Sequence, residues 1–453
     1  MTRLSFRRTV LLLVACAALM LSPVPVWCQE ETTATDTGGG SGDDVQLRVP
    51  PPVSGQNYPT AFAGATEENY LRGGFSFSSA YSSNIAGTSN PVGDMSYSFW
   101  PSIAVDKTAP LLHLVLSYSP GFTVYQKTSA YNQANQNFAL NLQYRISPRL
   151  SISVLEGFNK SSNIFDQPTP LAVSPVSGSP PPIGLGVIAP LADQMSNSTF
   201  AQLVYQLGEA SSIGVSGTFG TQHYLNSQQS SGLYNSQSAS GSVFYSHRIG
   251  QRYYIGANYQ YQNVLSFQTN LPGTHTEIQA MSAFLSVFLK PTVSISVSVG
   301  PQHYAGTQPP FAPVSSWSPL LTVSGSWQGQ RTTVSASFSR TVSGAGGLNG
   351  IFHSTAVNVS ANWKVSRNWS AGVGAGYADN TSLTPLFLSS NAGRTVVGTV
   401  SAQRTLGEHA SIQFGYNWTN QTYEQIAPVA SIPNTNRVFM SLSYQFTRPL
   451  QRY

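Results

Sequence analysis

Charge is scarce in this sequence. Only 9% of its 453 residues are Asp, Glu, Lys or Arg, whereas soluble domains carry roughly 25%, which excludes an ordinary soluble enzyme. A mean hydropathy of -0.09 also excludes a bundle of transmembrane helices. The 22 Tyr, 22 Phe and 7 Trp argue against disorder. The composition fits a chain with one polar and one apolar face throughout, as in a transmembrane β-barrel.

Cysteine is almost absent, and both cysteines, Cys16 and Cys28, lie near the start of the chain. Three arginines, an apolar run over 10–21 and a Ser-Pro-Val-Pro break at 22–25 follow the order of a secretory signal peptide. We predict a signal peptide over 1–28, cleaved after Cys28. Acylation of Cys28 is the alternative, disfavoured by the bulky Trp27 beside it.

Removal of that signal would leave no cysteine for disulfides, thiolate nucleophiles or thiolate-bound metals. It would also leave 19 basic and 17 acidic residues, a nearly neutral chain. Such a chain has no electrostatic surface for nucleic acid, and no nucleic-acid partner is expected.

Residues 29–66 are rich in Glu, Asp, Thr, Gly and Pro. We predict a flexible periplasmic linker. A plug domain is the alternative, although about forty such residues cannot form a core of their own.

Apolar and polar residues alternate from Leu71 to Phe446, within a predicted barrel domain of 67–453. The clearest case is the unbroken Val-Ser-Ile-Ser-Val-Ser-Val segment at 293–299. Period-two alternation predicts half-buried strands. No segment shows a convincing helical period.

The connections between these segments alternate in length, which favours a barrel over a soluble sandwich. Short turns are predicted at 107–110, 147–149, 208–211, 250–252, 290–291, 329–331, 366–368 and 407–409. Longer polar loops are predicted near 84–93, 127–136, 161–195, 223–235, 263–275, 304–316, 341–352, 379–393 and 420–436.

These connections predict an all-β fold, a transmembrane antiparallel β-barrel of about 18 strands of about ten residues, with 16 strands as the alternative. Short periplasmic turns and long extracellular loops would place it in the outer membrane of a Gram-negative-type bacterium. Aromatic residues near strand ends suit interfacial girdles: Trp100, Trp327, Trp363, Trp369, Trp418 and Tyr444.

A barrel of this size should enclose water. The loop over 161–195 would either fold inward and constrict the lumen or remain a mobile surface loop. Alternation would turn Glu156 toward lipid, so we expect a β-bulge near Leu155 that turns it inward. The candidate lumen-lining residues are Asn141, Gln143, Arg145, Tyr254, Asn258, Gln260, Gln413 and Asn417.

Amides, hydroxyls and aromatic rings along the wall favour neutral, hydroxyl-rich solutes such as sugars, with little preference between small ions. A nonspecific water-filled pore is the alternative. No catalytic, cofactor or metal-binding motif stands out, and the seven histidines show no metal-ligand spacing. We expect a channel rather than an enzyme. A barrel enzyme with a Ser/His site and a structural or adhesive surface barrel are the alternatives.

Two segments carry a family resemblance. Tyr-Ser-Ser-Asn at 81–84 and Tyr-Arg-Ile-Ser-Pro-Arg-Leu at 144–150, which follows an Asn-rich loop, resemble the outer-membrane β-barrel porins associated with bacterial exopolysaccharide gene clusters. The resemblance implies a role in polysaccharide export and partners in an export system.

Outer-membrane lipid, lipopolysaccharide and the barrel-assembly machinery are the other expected partners. The outward row of the last strand ends in Tyr444 and Phe446. This row resembles the C-terminal signal for barrel assembly.

Overall fold

The structure is a computed structural model. It describes residues 69–85, 91–160, 193–225, 233–268, 271–290, 292–307, 309, 312–344, 347, 350–383, 393–423 and 432–449. The predicted signal peptide, the linker and most of the 161–195 loop lie outside these residues. No helix in the described part of the chain is long and apolar enough to cross a membrane.

The described residues form eighteen strands and one short 3₁₀ turn, Ser129–Tyr131, between β3 and β4. The strands are β1 Tyr70–Ser82, β2 Asp94–Ala109, β3 Leu112–Tyr125, β4 Gln133–Ser147, β5 Leu150–Lys160, β6 Gln194–Gln206, β7 Ser211–Tyr224, β8 Asn235–Ile249, β9 Tyr253–Gln268, β10 Leu271–Lys290, β11 Val293–Thr307, β12 Val314–Gln328, β13 Thr332–Gly344, β14 Ile351–Lys364, β15 Trp369–Ser382, β16 Gly393–Leu406, β17 Ala410–Tyr423 and β18 Ile432–Pro449.

The sheet is closed. Every strand pairs antiparallel with its neighbours in sequence, and β1 also pairs with β18, from Tyr70 opposite Pro449 to Ser82 opposite Arg437. Closure leaves no strand edge with unpaired backbone groups. A sheet in hydrocarbon must have no such edge, because no water is present there to bond its backbone. The predicted 18-strand antiparallel barrel is confirmed.

The strands are longer than expected, at 11 to 20 residues. Each of the eight predicted short turns connects two successive antiparallel strands, so all eight lie at one end of the barrel. We call that end the turn end and the opposite end the loop end. The prediction of a long loop over 263–275 is wrong. There, β9 continues to Gln268 and β10 begins at Leu271. The polar residues of this segment belong to the two strands, which keep their inward and outward alternation almost to the end of the hairpin.

The two faces of the wall differ in size and polarity. Outward side chains are large and apolar, such as Tyr259 and Phe414, with 48% and 45% of their surface exposed. Inward side chains such as Asn258 and Ser286 are small, polar and buried. An apolar exterior on a closed barrel is what hydrocarbon requires, and it supports the outer-membrane location.

Girdle aromatics occupy the outer face as predicted at Trp327, Trp363 and Trp369, which are all exposed. Trp100 does not. It points inward and is 2% exposed, because its indole covers Gly121 on the neighbouring strand, where a Cβ would lie 2.3 Å from the ring.

The expected bulge near Leu155 is absent, and that prediction is wrong. The β4–β5 register is continuous from Gln136 opposite Lys160 to Arg145 opposite Ser151, and it shifts only next to the turn. Glu156 is therefore opposite Leu140 and shares the outer face with Val154 and Phe158.

Candidate functional site: an inner wall with a docked hairpin

One hairpin of the barrel leaves the wall and lies inside it. Pairing between β12 and β13 stops at Leu321 opposite Arg340, yet β13 and β14 stay paired up to Gly344 opposite Ile351. We call the free end of this pair the inner hairpin: Val342–Gly344, Gly347 and Gly350–Phe352.

Apolar packing holds the inner hairpin against the wall. Val342 and Ile351 are 2% and 0% exposed and form a cluster with Ile278 of β10 and Tyr304 of β11. Ile278 and Tyr304 are opposite each other and belong to the inward rows of their strands. The back of the hairpin therefore covers the inner face of β10 and β11.

A side-chain amide fixes the hairpin backbone. Gln302 of β11 donates from Nε2 to the Val342 carbonyl at 3.3 Å, and its Oε1 accepts from the Val342 N–H at 2.8 Å. The amide thus replaces the strand partner that Val342 loses when β13 parts from β12. Both backbone groups are buried and would be costly to leave unpaired.

The tip of the hairpin reaches as far as β7 and β8. The Tyr234 N–H donates to the Gly347 carbonyl at 3.0 Å, and a Cβ on Gly347 would lie 2.4 Å from the hydroxyl of Tyr224. Gly347 has φ of 86° and Gly350 has φ of 122°, values that favour glycine.

The inner hairpin narrows the loop end of the barrel from one side. The sequence predicted only an external loop at 341–352. It considered an inward fold, as one of two alternatives, only for 161–195, of which most lies outside the described residues. The available signal was the small-residue run Ser-Gly-Ala-Gly-Gly-Leu-Asn-Gly at 343–350, which allows close approach to a wall.

The eight candidate lining residues all lie on the inward rows. Asn141, Tyr254, Asn258 and Asn417 are 6 to 8% exposed, Gln260 and Gln413 are half-buried, and Gln143 and Arg145 are exposed. Tyr254 packs edge-on against Phe288, with ring centroids 5.7 Å apart. Their contact with a passing solute stays a prediction.

Several hydroxyl groups on the inner wall bond one another across neighbouring strands. Cross-strand pairs include Ser98 with Thr123 at 2.9 Å and Ser286 with Ser296 at 2.8 Å. Other inner-wall groups have no partner: both Oδ1 and Nδ2 of Asn141 are buried and make no hydrogen bond. The hydroxyls of Ser298, Thr399 and Ser401 are likewise buried without a hydrogen-bond partner.

The inner wall is basic at the turn end. Arg72, Arg145, Arg248 and Lys364 lie on inward rows there, and Asp106 is the acidic group among them, 3.7 Å from His113 Nε2. The adjoining turns contribute Arg149, Arg252, Arg331 and Arg367 against Glu209 and Glu408. This differs from the weakly charged wall expected from the sequence.

Ionisable groups elsewhere form a few local pairs. At the loop end, burial raises the pKa of the Asp193 carboxyl, and Lys160, with Nζ 3.9 Å from Oδ2, lowers it in part. Within the described residues, no group of His, Cys, Asp and Glu could hold a metal ion.

The Ser/His alternative can be placed. Ser211 Oγ lies 2.8 Å from His247 Nδ1, and His303 Nε2 lies 2.9 Å from Ser315 Oγ. Both pairs belong to outward rows, away from the inner wall. A third pair, Ser318 Oγ and His353 Nε2 at 3.1 Å, lies inside the barrel at the base of the inner hairpin, where Arg340 Nε also donates to His353 Nε2 at 3.3 Å.

Comparisons with known proteins add a fold-level likeness. No protein-family model matches the chain, and no curated protein matches it. Among solved structures, Pseudomonas aeruginosa OccK2 (OpdF) matches with a TM-score of 0.44 and 8% identity over 85% of this chain and 100% of that one.

Two further structures match at similar levels. Pseudomonas aeruginosa OprD matches with a TM-score of 0.39 and 10% identity, over 85% of this chain and 96% of that one. Acinetobacter baumannii OccAB4 has a TM-score of 0.38 and 10% identity, over 84% of this chain and 99% of that one. At this level of similarity, function has to be argued from this chain's own residues.

Proposed function

We propose that the protein is a porin-like outer-membrane channel for small, hydroxyl-rich solutes. The single observation that carries this proposal is the closed 18-strand wall with an apolar outer face and a polar inner face. A barrel of that strand number is too wide for wall side chains alone to fill. Passage through such a channel requires no catalytic step.

The inner wall supports two further parts of the proposal. Half-buried amides on inward rows, such as Gln260 and Gln413, can bond the hydroxyls of a sugar. The basic residues at the turn end, which we assign to the periplasm, create a positive potential that attracts anions and repels cations. The channel should therefore accept neutral and anionic solutes more readily than cations.

A link to exopolysaccharide export is a narrower proposal. It rests on the family resemblance and on the sugar-compatible wall. Lipopolysaccharide around the barrel, the assembly machinery that reads Tyr444 and Phe446, and polysaccharide-export components are the partners that this proposal implies.

Reversal potentials in a salt gradient test the ion preference. Purified protein in planar bilayers should favour chloride over potassium, and Arg145→Gln with Lys364→Gln should reduce that preference. Arg404→Gln is the matched control, because Arg404 lies near the turn end on the outer face, over the Trp369 ring at 5.5 Å. Cation preference in the unaltered channel would contradict the proposal.

Neutral oligosaccharides test the solute class in the same recordings. They should transiently reduce the current, and Gln413→Leu should shorten the blocked intervals, because it removes an amide that the lumen reaches. A conducting channel on which no sugar acts would remove sugars and polysaccharide from the proposal and leave a general pore.

A further inference from the structure

Two opposite residues of the wall bond two opposite residues of the inner hairpin. On the wall, Gln302 of β11 is opposite Ser318 of β12. On the hairpin side, Val342 of β13 is opposite His353 of β14. Gln302 bonds the backbone of Val342, and Ser318 Oγ lies 3.1 Å from His353 Nε2. We call these four residues the clamp.

His353 is the titratable member of the clamp. Its Nε2 atom has two partners, Ser318 Oγ and the Nε atom of Arg340, which donates to it at 3.3 Å. An arginine side chain offers only donors and stays charged, so Nε2 must be the acceptor and the imidazole must carry its single proton on Nδ1. The contact with Arg340 therefore requires a neutral His353 ring.

Protonation of His353 would break this contact. Nε2 would then carry a proton and could no longer accept from Arg340. A positive ring would also lie 3.3 Å from a positive guanidinium, and like charges at that distance repel each other. The Ser318 hydroxyl can turn to accept from the protonated ring, so the loss concerns the Arg340 contact.

The strands around His353 supply little charge that could compensate. Within the described part of the chain, neither His353 nor Arg340 forms an ion pair with a carboxylate. Asp379 of β15 is on the same row as Arg340 but two strands away. On β11, Tyr304 faces the hairpin with its ring, whereas His303 points to the outer face. The described residues that β10 and β12 turn toward the hairpin are uncharged.

The clamp lies where the hairpin leaves the wall. Pairing between β12 and β13 ends at Leu321 opposite Arg340. Beyond that point, the clamp and the apolar cluster around Val342 and Ile351 hold the hairpin. Apolar packing is non-directional, whereas hydrogen bonds fix distance and angle. A change at His353 should therefore alter the position of the whole hairpin.

We infer that the clamp is pH-sensitive: a neutral His353 holds the inner hairpin against the wall, and its protonation releases the hairpin and widens the loop end of the lumen. Histidine is the side chain suited to this, because it ordinarily changes charge between about pH 5 and pH 8. The effect on flow rests on the proposed channel function, whereas the movement of the hairpin does not. The loop end, which we assign to the extracellular side, would expose His353 to the external medium.

Single-channel recordings at about pH 8 and about pH 5 test the effect on flow. The current of the unaltered channel should be larger and noisier at the lower pH. In His353→Gln the side-chain amide can accept from Arg340 but cannot be protonated, so the noise should be low at both pH values. His113→Gln is the matched control, because His113 is an inward histidine at the turn end, 3.7 Å from Asp106, and its loss should leave the pH response intact.

A permanent charge at the same position separates release of the hairpin from simple attraction of anions. His353→Lys places a cation beside Arg340 at every pH, so its current should be noisy at both pH values. If His353 acted only as a fixed charge in the lumen, His353→Lys would shift the reversal potential and add no noise. That result would overturn the inference.

Thiol labelling measures the movement of the hairpin without any current. Ile351→Cys replaces a side chain that is 0% exposed, and the turn residue Ser366, as Ser366→Cys, gives an exposed reference. The labelling rate by a maleimide, divided by that of the reference, should rise about tenfold from pH 8 to pH 5, as expected for the loss of one charge-assisted hydrogen bond. Adding His353→Gln should abolish the rise, and heat-modifiable migration at both pH values checks that each variant stays folded.

The two measurements distinguish failure of the clamp from failure of the channel. Labelling of Ile351→Cys that rises at low pH in a protein that passes no current would keep the clamp and remove the channel function. A labelling ratio that is the same at both pH values, or a rise that persists in His353→Gln, would overturn the inference.

Discussion

Individual glycines decide where neighbouring strands of this barrel interlock. Gly256 of β9 lies under the ring of Phe284 of β10, and a Cβ there would be 2.3 Å from Phe284 Cζ and 2.1 Å from the Tyr245 carbonyl oxygen. Gly241 of β8 has nothing within 4 Å of the same position. The two glycines therefore differ in what a methyl group would encounter.

Gly256→Ala should destabilise the barrel by about 1–3 kcal/mol, the usual cost of overpacking. Gly241→Ala should be neutral or slightly stabilising, because the methyl group fits and the unfolded chain loses freedom. Urea unfolding in lipid vesicles, followed by tryptophan fluorescence, measures both. Equal losses would mean that the Gly256–Phe284 contact does not matter for stability.

Among the structural elements, the inner hairpin is held by few contacts and is therefore open to a specific test. Gln302→Met keeps the length of the side chain but removes both hydrogen bonds to Val342. The hairpin should loosen and the single-channel current should rise and become noisier.

Gln260→Met is the matched control, since Gln260 is also an inward glutamine and has no described hydrogen bond to the hairpin. Identical currents in the unaltered channel and in Gln302→Met would show that the hairpin does not limit flow.

The two faces of a strand should respond differently to charge. In β11, Val297 points outward and Ser296 points inward, where it bonds Ser286 at 2.8 Å. Val297→Arg should cost about 2–4 kcal/mol near the membrane midplane, and Ser296→Arg should cost less because water in the lumen can solvate it. Unfolding midpoints in vesicles measure the difference, and similar losses at both positions would contradict the assignment of faces.

Elements whose environment is uniform could be predicted from the sequence. Each strand has one face toward lipid, so alternation and turn length predicted eighteen strands. The inner hairpin could not be predicted, because Val342 and Ile351 continue the outward apolar pattern and only a distant contact with Ile278 distinguishes them. Trp100 was misplaced for a related reason. Its partner, Gly121, is on another strand, and aromatic character alone does not indicate direction.

At the scale of the whole molecule, β18 closes the barrel. It pairs with both β17 and β1, and Tyr444 stacks on Phe75 with ring centroids 5.7 Å apart. Deleting residues 437–453 removes this closure and the proposed assembly signal. Heat-modifiable protein should then disappear from the outer membrane in fractionation experiments, whereas a normal amount of folded protein would refute both roles.

Charged side chains are distributed unequally between the two ends of the barrel. Basic side chains concentrate at the turn end, on the inner wall and in the turns, while the loop end is narrowed by the inner hairpin. A solute therefore meets a size restriction at one end and a positive potential at the other. Current through the channel should accordingly differ between the two signs of applied voltage.

Conductance of the purified, folded protein in a planar bilayer tests the central claim most directly. Heat-modifiable protein should produce discrete, reproducible current steps, because the polar lumen connects the two sides. Anions should carry a larger share of this current than cations. Folded protein that inserts into the bilayer and passes no current, even after Gln302→Met loosens the hairpin, would contradict the channel function.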